Sequence, residues 1–283
     1  MRHLAFPALR LVVALPLALA ACASHPAPVA PAPPPAPAPI ESAAPAASTA
    51  ATPVPAIPSE VAAAVAAPDR SDDDKKLDAG RKPAEMLAFF GIHAGERVAE
   101  LEAAGGYTTE LLARSVGPTG VVYGQNNKFL LDRYAQAPWT ERLKKPAMKG
   151  VVRVDRELED PLPPEAKDLD AVILNLFYHD TVWIGTDRPK MNAAVFAALK
   201  KGGVYGIVDH SSRPGAGLAD VQTLHRIEES VLKSEVEAAG FKLAAEGDFL
   251  RNPADTRDWS TSPKVAGERR GTSDRFVLKF VKP

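Results

Sequence analysis

The sequence predicts an α/β domain, a doubly wound and mostly parallel sheet of about seven strands with helices on both faces. Three observations carry that prediction. From Val98 onward, short apolar runs of strand length alternate with segments of helical period. Glycines close the helical segments, as at Gly117-Pro118 and at Lys200-Lys201-Gly202-Gly203, where basic residues precede the stop. The run Ala171-Val172-Ile173-Leu174 is apolar throughout, as a central parallel strand covered on both faces must be.

Each element has its own reason. Ser71-Asp72-Asp73-Asp74 is an N-cap with an acidic first turn, favourable for the helix dipole. A second helix starts at Pro83 and closes at Gly91, with Met86, Leu87, Phe89 and Phe90 as a cover for the sheet. Strand one, Val98 to Leu101, meets the paired glycines Gly105 and Gly106, and a helix follows from Thr108 to Val116. Strand two begins at Val121, so this is a βαβ unit whose turn can receive an anionic or hydroxyl-rich ligand at a helix N-terminus. Helices over 128–135 and around 140–145 lead to strand three, 151–154. Strand four, 169–174, ends in NLFYHD, residues 175–180. A helix over 191–199 precedes strand five, 204–208, which ends in Asp209-His210. The longest helix is expected over 219–239, with Glu229 and Lys233 paired across one turn. Strands six and seven are 241–245 and 275–281, and the polar stretch 250–272 has the length of a functional loop. The switch-point rule places a ligand at the ends of strands one, two and four, with Asp209-His210 beside it.

The N-terminal part is of a different kind. Arg2 and Arg10 flank the start of an apolar run, 11–20, too short to span a bilayer comfortably. Leu19-Ala20-Ala21-Cys22 then resembles the lipobox of bacterial lipoproteins, which makes Cys22, the single cysteine of the chain, the lipidated residue. Ordinary cleavage beside Cys22 is the alternative and would give a soluble periplasmic protein. Ala23 after the cysteine implies, by the same resemblance, the outer membrane facing the periplasm. Residues 23–68 are almost wholly alanine and proline and read as a disordered tether, leaving 69–283 as the folded domain. A net charge of −1 with acids and bases interleaved argues against a nucleic-acid partner.

The order glycine turn, polar strand-two end, polar strand-four end and GG-strand-DH resembles the class I S-adenosylmethionine-dependent methyltransferases. The segments GGYTTELLARSVGPTGVVYG, ALKKGGVYGIVDH, LHRIEESVLKSEVEAAGFKL and DFLRNPAD resemble one bacterial branch of them, the predicted methyltransferases, over the domain from about residue 71. The resemblance implies a Rossmann-like methyltransferase sheet with an antiparallel seventh strand beside the sixth, and S-adenosylmethionine as cofactor. It implies that the cofactor lies over Glu102, Ala104, Gly105, Gly106 and Tyr107, with Glu100 holding its amino-acid end. Asn126 falls where the family usually grips the ribose hydroxyls with a carboxylate, Asp155 or Glu157 serves the adenine edge, and Asn175 flanks the methyl group. The family pattern GxGxG would put glycines at 102, 104 and 106, but two of these are Glu102 and Ala104. A left-handed backbone at either would cost about 1–2 kcal/mol.

Three of the six histidines, His179, His210 and His225, fall on or near this rim, the first two beside Asp180 and Asp209. A histidine there can take a proton from a nucleophile during methyl transfer. The candidates in order are His210 with Asp209, then His179 with Asp180, then His225. The structural alternatives are Asp209 capping the next loop, His210 bonded to backbone, and His225 as a position on an amphipathic helix. Without a close spacing such as HExxH, no metal site is expected. Tyr107 and Tyr178 read as rim aromatics. The leading function is an exported, lipid-anchored methyltransferase acting on a small-molecule or cell-envelope acceptor. A non-catalytic lipoprotein binding a nucleoside or another small ligand comes second, and a metal-assisted hydrolase third.

Overall fold

Strands that are apolar on both faces need helices on both sides, and the computed structural model, which describes residues 51–283, has that arrangement. Three helices precede the sheet: α1 (Ser59–Ala66), α2 (Asp72–Arg81) and α3 (Pro83–Phe90). The Ser71 Oγ accepts from the Asp74 N–H at 3.2 Å, so α2 has the N-cap its sequence predicts. In α3 the side chains of Met86, Leu87, Phe89 and Phe90 are all buried, as a cover should be.

The sheet comprises β1 (Arg97–Leu101), β2 (Val121–Asn126), β3 (Val151–Asp155), β4 (Leu169–Asn175), β5 (Leu199–His210), β6 (Lys242–Gly247) and β7 (Arg275–Val281). Their order is β3-β2-β1-β4-β5-β7-β6. Strand β1 lies parallel between β2 and β4, with Val98 opposite Val122 and Ala171. Strand β7 runs antiparallel between β5 and β6, the insertion that the methyltransferase resemblance implies. The direction in which successive strands are added switches between β1 and β4, so a crevice opens beyond their C-terminal ends.

Helix α4 (Tyr107–Val116) crosses from β1 to β2. The helices expected over 128–145 form one continuous segment, α5 (Lys128–Leu130) passing through a π turn (Leu131–Ala135) into α6 (Gln136–Arg142). Helices α7 (Tyr178–Trp183) and α8 (Arg188–Ala198) connect β4 to β5.

Two expectations need correction. The helix expected over 219–239 is broken into α9 (Val221–Leu224) and α10 (Glu229–Ala238), with His225 left-handed at φ 52° between them. The cause is Arg226, fully buried, whose guanidinium donates to the Ser211 carbonyl at 2.9 Å and to Asp255 at 2.8 Å. A charge that must reach inward to a carboxylate pulls the chain out of helical register, and Ile227 instead bridges to Ser211. The second correction concerns the tether. Its last part joins the domain: Val61 of α1 is fully buried, α1 packs on α4, and the Thr52 N–H donates to the Glu246 carbonyl at 2.8 Å. The leader segment, Cys22 and most of the tether lie outside the described residues. Among the described residues no helix is long and apolar enough to cross a membrane.

Candidate functional site

A cleft of about 740 Å³ opens over the turn between β1 and α4. The turn is strained. Glu102 and Ala104 both have φ 51°, in the left-handed region where a side chain costs about 1–2 kcal/mol. The end of β2 holds each of them. Gln125 Oε1 accepts from the Glu102 N–H at 3.0 Å. Asn126 Oδ1 accepts from the Ala104 N–H at 2.7 Å, and its Nδ2 donates to the Ala104 carbonyl at 3.2 Å. Strain of this kind persists only where neighbours over-determine it. At Gly106 the glycine is obligatory: φ is 80°, and a Cβ would lie 2.5 Å from the Trp139 ring.

These contacts correct one role. Asn126 is fully buried beneath the turn with its amide occupied by Ala104, so it does not face the cleft. The carboxylate that does face it belongs to Glu102, which is 5% exposed and lines the cleft. Neither of its oxygens has a hydrogen-bond partner of ordinary geometry among the described residues. Burial pushes this carboxyl up to about 8, with the Asn127 N–H and the Gln125 side chain near enough to offset part of the effect. Glu100, also lining the cleft, accepts from the Thr109 hydroxyl; burial raises it to about 7 against the Thr109 and Thr108 hydrogen bonds. Arg81 stacks 4.4 Å from the centre of the Tyr107 ring and forms no ion pair among the described residues. Asn175 Nδ2 donates to the Thr108 Oγ1 at 3.2 Å, fixing the end of β4 against α4.

The histidines converge on the same cleft. Asp209, next to last in β5 and fully buried, accepts the backbone N–H groups of His179 and His210, each at 2.7 Å. Its Oδ1 also lies 2.6 Å from His179 Nδ1. The other ring nitrogen of His179, Nε2, is 3.2 Å from Asp180 Oδ1. That same oxygen receives Trp183 Nε1 at 2.7 Å and His225 Nδ1 at 3.0 Å. Burial works against a charge on His179, but Asp209 and Asp180 outweigh it and raise the imidazole to about 10. Asp180 is held well below the ordinary carboxylate range despite its burial, chiefly by His179. His210 takes the opposite course: burial and then the His179 charge push it well below 6.5. Its Nδ1 is 2.8 Å from the Ser273 hydroxyl, and its ring is 5.7 Å from that of His179.

Most of the expected site residues therefore gather. Glu100, Glu102, Ala104, Gly105, Tyr107, Asn175, His179, Asp180 and His210 line one cleft, with Gly106 and Asp209 directly behind its wall. Asp155 and Glu157 do not belong. Both are exposed outside the cleft; Asp155 pairs with Arg153 at 2.9 Å and Glu157 accepts from the Lys128 N–H. Tyr178 is no rim aromatic either, being fully buried and donating to Glu235 on α10 at 2.8 Å. Arg81 and the Phe129–Trp183 pair, whose rings meet at 5.4 Å, line the cleft without any prior signal in the sequence. The polar stretch 250–272 did carry a signal, its length, and its residues Thr261–Lys264 line the cleft.

Solved structures share this architecture. A SAM-dependent methyltransferase from Aquifex aeolicus superposes with a TM-score of 0.50 over 76% of this chain and 100% of its own, at 17% identity. Geranyl diphosphate C-methyltransferase from Streptomyces coelicolor does so with a TM-score of 0.50 over 78% of this chain and 88% of its own, at 15% identity. No family model matches the sequence. At these identities the likeness defines the fold: it is the Rossmann-like fold of the class I methyltransferases.

Proposed function

We propose that the protein transfers a methyl group from S-adenosylmethionine to a small-molecule or cell-envelope acceptor, as an exported, lipid-anchored member of the bacterial predicted-methyltransferase branch. The observation that supports it most directly is Glu102, a buried carboxylate short of donors in the wall of a cleft of small-molecule size. A pair of adjacent ribose hydroxyls supplies the donors it lacks, in place of the strand-two carboxylate that Asn126 does not provide.

The other residues fit the same ligand. Glu100 answers an ammonium group, and Arg81, free of ion pairs among the described residues, answers a carboxylate. Phe129 and Trp183 offer apolar walls to a base. Ala104 and Gly105 line the cleft with little or no side chain, which lets a ligand approach the backbone there. When bound, S-adenosylmethionine supplies an electrophilic methyl on a sulfonium, for which an aligned nucleophile and its positioning provide most of the acceleration. His210, kept neutral, accepts the proton that the acceptor gives up, while His179 stays charged and fixed by Asp209. The lipobox-like sequence at Cys22 supports the exported location.

Isothermal titration of the full chain with S-adenosylmethionine and S-adenosylhomocysteine tests this reading. Micromolar binding is expected in a titration above pH 8, where the Glu102 carboxyl is ionised, weakened about tenfold in Glu102→Gln by the loss of that charged acceptor. Absence of binding to the wild type, or binding untouched by both Glu102→Gln and Glu100→Ala, overturns it.

A further inference from the structure

We propose that His179, Asp180 and His225 form a site for one first-row divalent cation in the wall of the cleft. The donors are His179 Nε2, an Asp180 carboxylate oxygen and His225 Nδ1, all within 4.8 Å of one another. Asp180 Oδ1 stands 3.2 Å from the first nitrogen and 3.0 Å from the second. Donors held about 2.0–2.2 Å from a common ion have separations of this order. Two imidazoles and one carboxylate suit zinc, manganese, iron or cobalt better than magnesium or calcium, which favour all-oxygen sets.

Three further observations point to a cation and not merely to a hydrogen-bonded cluster. The first is the support behind His179. Its Nδ1 is bonded to Asp209, and Asp209 is immobilised by two backbone N–H groups. A carboxylate in that place fixes the tautomer that leaves Nε2 with a lone pair, the outer-shell arrangement typical of histidine ligands. The second is charge. Asp209 is fully buried and Asp180 half-buried, yet neither forms an ion pair with a lysine or arginine among the described residues; histidines are their only ionic partners. The third is His225, held at φ 52° in the left-handed region, a strained conformation that aims its Nδ1 at Asp180. Without an ion, a proton on His179 Nε2 fills the gap toward Asp180, and cation binding displaces that proton to solvent.

The remaining coordination positions face the cleft, because His179, Asp180 and His225 all line it. An oxygen of an acceptor or a water molecule completes the sphere there and is polarised by the ion. His210, with its ring 5.7 Å from that of His179, lies beside the ion and remains available to the coordinated oxygen. The proposal does not rest on the methyltransferase reading, since a cation could serve any ligand that offers an oxygen.

The test uses tag-free full-length chain, stripped with a chelator and dialysed, with no S-adenosylmethionine present. Titration with Zn²⁺ and Mn²⁺, read by calorimetry and by metal analysis after desalting, should give one ion per chain with micromolar or tighter affinity for at least one of them. Co²⁺ should give a visible absorption spectrum of a nitrogen- and oxygen-ligated ion. His225→Ala and Asp180→Asn, each checked for native folding by circular dichroism, should weaken binding at least tenfold and abolish that spectrum. Absence of saturable uptake by the wild type overturns the proposal, as does one-to-one binding unchanged in both variants. Because the cofactor is absent throughout, failure here is separate from failure of the methyltransferase reading.

Discussion

The glycine turn and the histidine cluster line one cleft and are built on different principles. The turn is five consecutive residues whose difficulty is conformational: two side-chain-bearing residues sit in left-handed backbone, clamped by Gln125 and Asn126. The cluster is assembled from the end of β4 and α7, the end of β5, and the corner between α9 and α10. Its difficulty is electrostatic, two buried carboxylates facing three imidazoles. The comparison teaches that strain can be satisfied locally, by the adjacent strand, whereas buried charge recruits partners from wherever the fold can supply them. Glu102 breaks the symmetry, because it brings a buried charge into the strained region.

That exception gives the largest expected effect. The Glu102 carboxyl moves from 4.5 to about 8 on folding. Since the folded state holds the proton longer, stability is full below pH 4.5 and falls as pH rises through the window up to about 8. At about 1.36 kcal/mol for each pH unit the deficit approaches about 5 kcal/mol, an upper figure because relaxation and water entry reduce it. Glu102→Gln removes the ionisation. Its stability by urea denaturation should match the wild type near pH 4.5 and exceed it by several kcal/mol above pH 8. Curves that stay parallel over that range would place Glu102 among ordinary solvated carboxylates and restore the simple contrast between the two regions.

The cluster offers the next effect. Asp209→Ala removes the acceptor of two backbone N–H groups and leaves the His179 charge without its closest partner. Breaking one side of a buried pair costs about 3–5 kcal/mol. The expected outcome is a lower urea midpoint with an unchanged slope. A cost under about 1 kcal/mol, the level of a surface pair, would show that Asp180 alone carries His179.

How much of this was legible beforehand follows the same division. The sheet, the crossovers and the position of the turn could be read from the sequence, because strand and helix periods and glycine punctuation are local. So could the strain at 102 and 104, as a conditional cost attached to two missing glycines. The role of Asn126 was not legible, because whether an amide points up to a ligand or down to the Ala104 backbone depends on the height of the turn above β2. The pairing of His179 with Asp209 was hidden for a different reason: His179 and His210 each have an aspartate beside them in sequence, and only the parallel register of β4 on β5 crosses the partners. His225 was misplaced on a continuous helix, since periodicity gives no sign that Arg226 must turn inward toward Asp255. Asp155 was assigned by its position after β3, yet a neighbouring arginine keeps it at the surface.

The smallest effect is also the cleanest probe of the turn, because it involves no charge. At most positions Ala→Gly destabilises by about 0.5–1 kcal/mol through the added entropy of the unfolded chain. At Ala104 the sign should reverse. The residue has φ 51°, where the methyl group costs about 1–2 kcal/mol that glycine does not incur, so Ala104→Gly should gain about 0.5–1 kcal/mol net. The hydrogen bonds from Asn126 involve only the Ala104 backbone, so they survive the substitution and do not blur the result. Equilibrium denaturation at one pH resolves a difference of that size if the slope is unchanged. A loss in place of a gain would mean that residue 104 does not hold the left-handed conformation in solution. The turn would then be shaped by its ligand and not by β2, and the contrast between a strained region and a charged region would fail at the strained one.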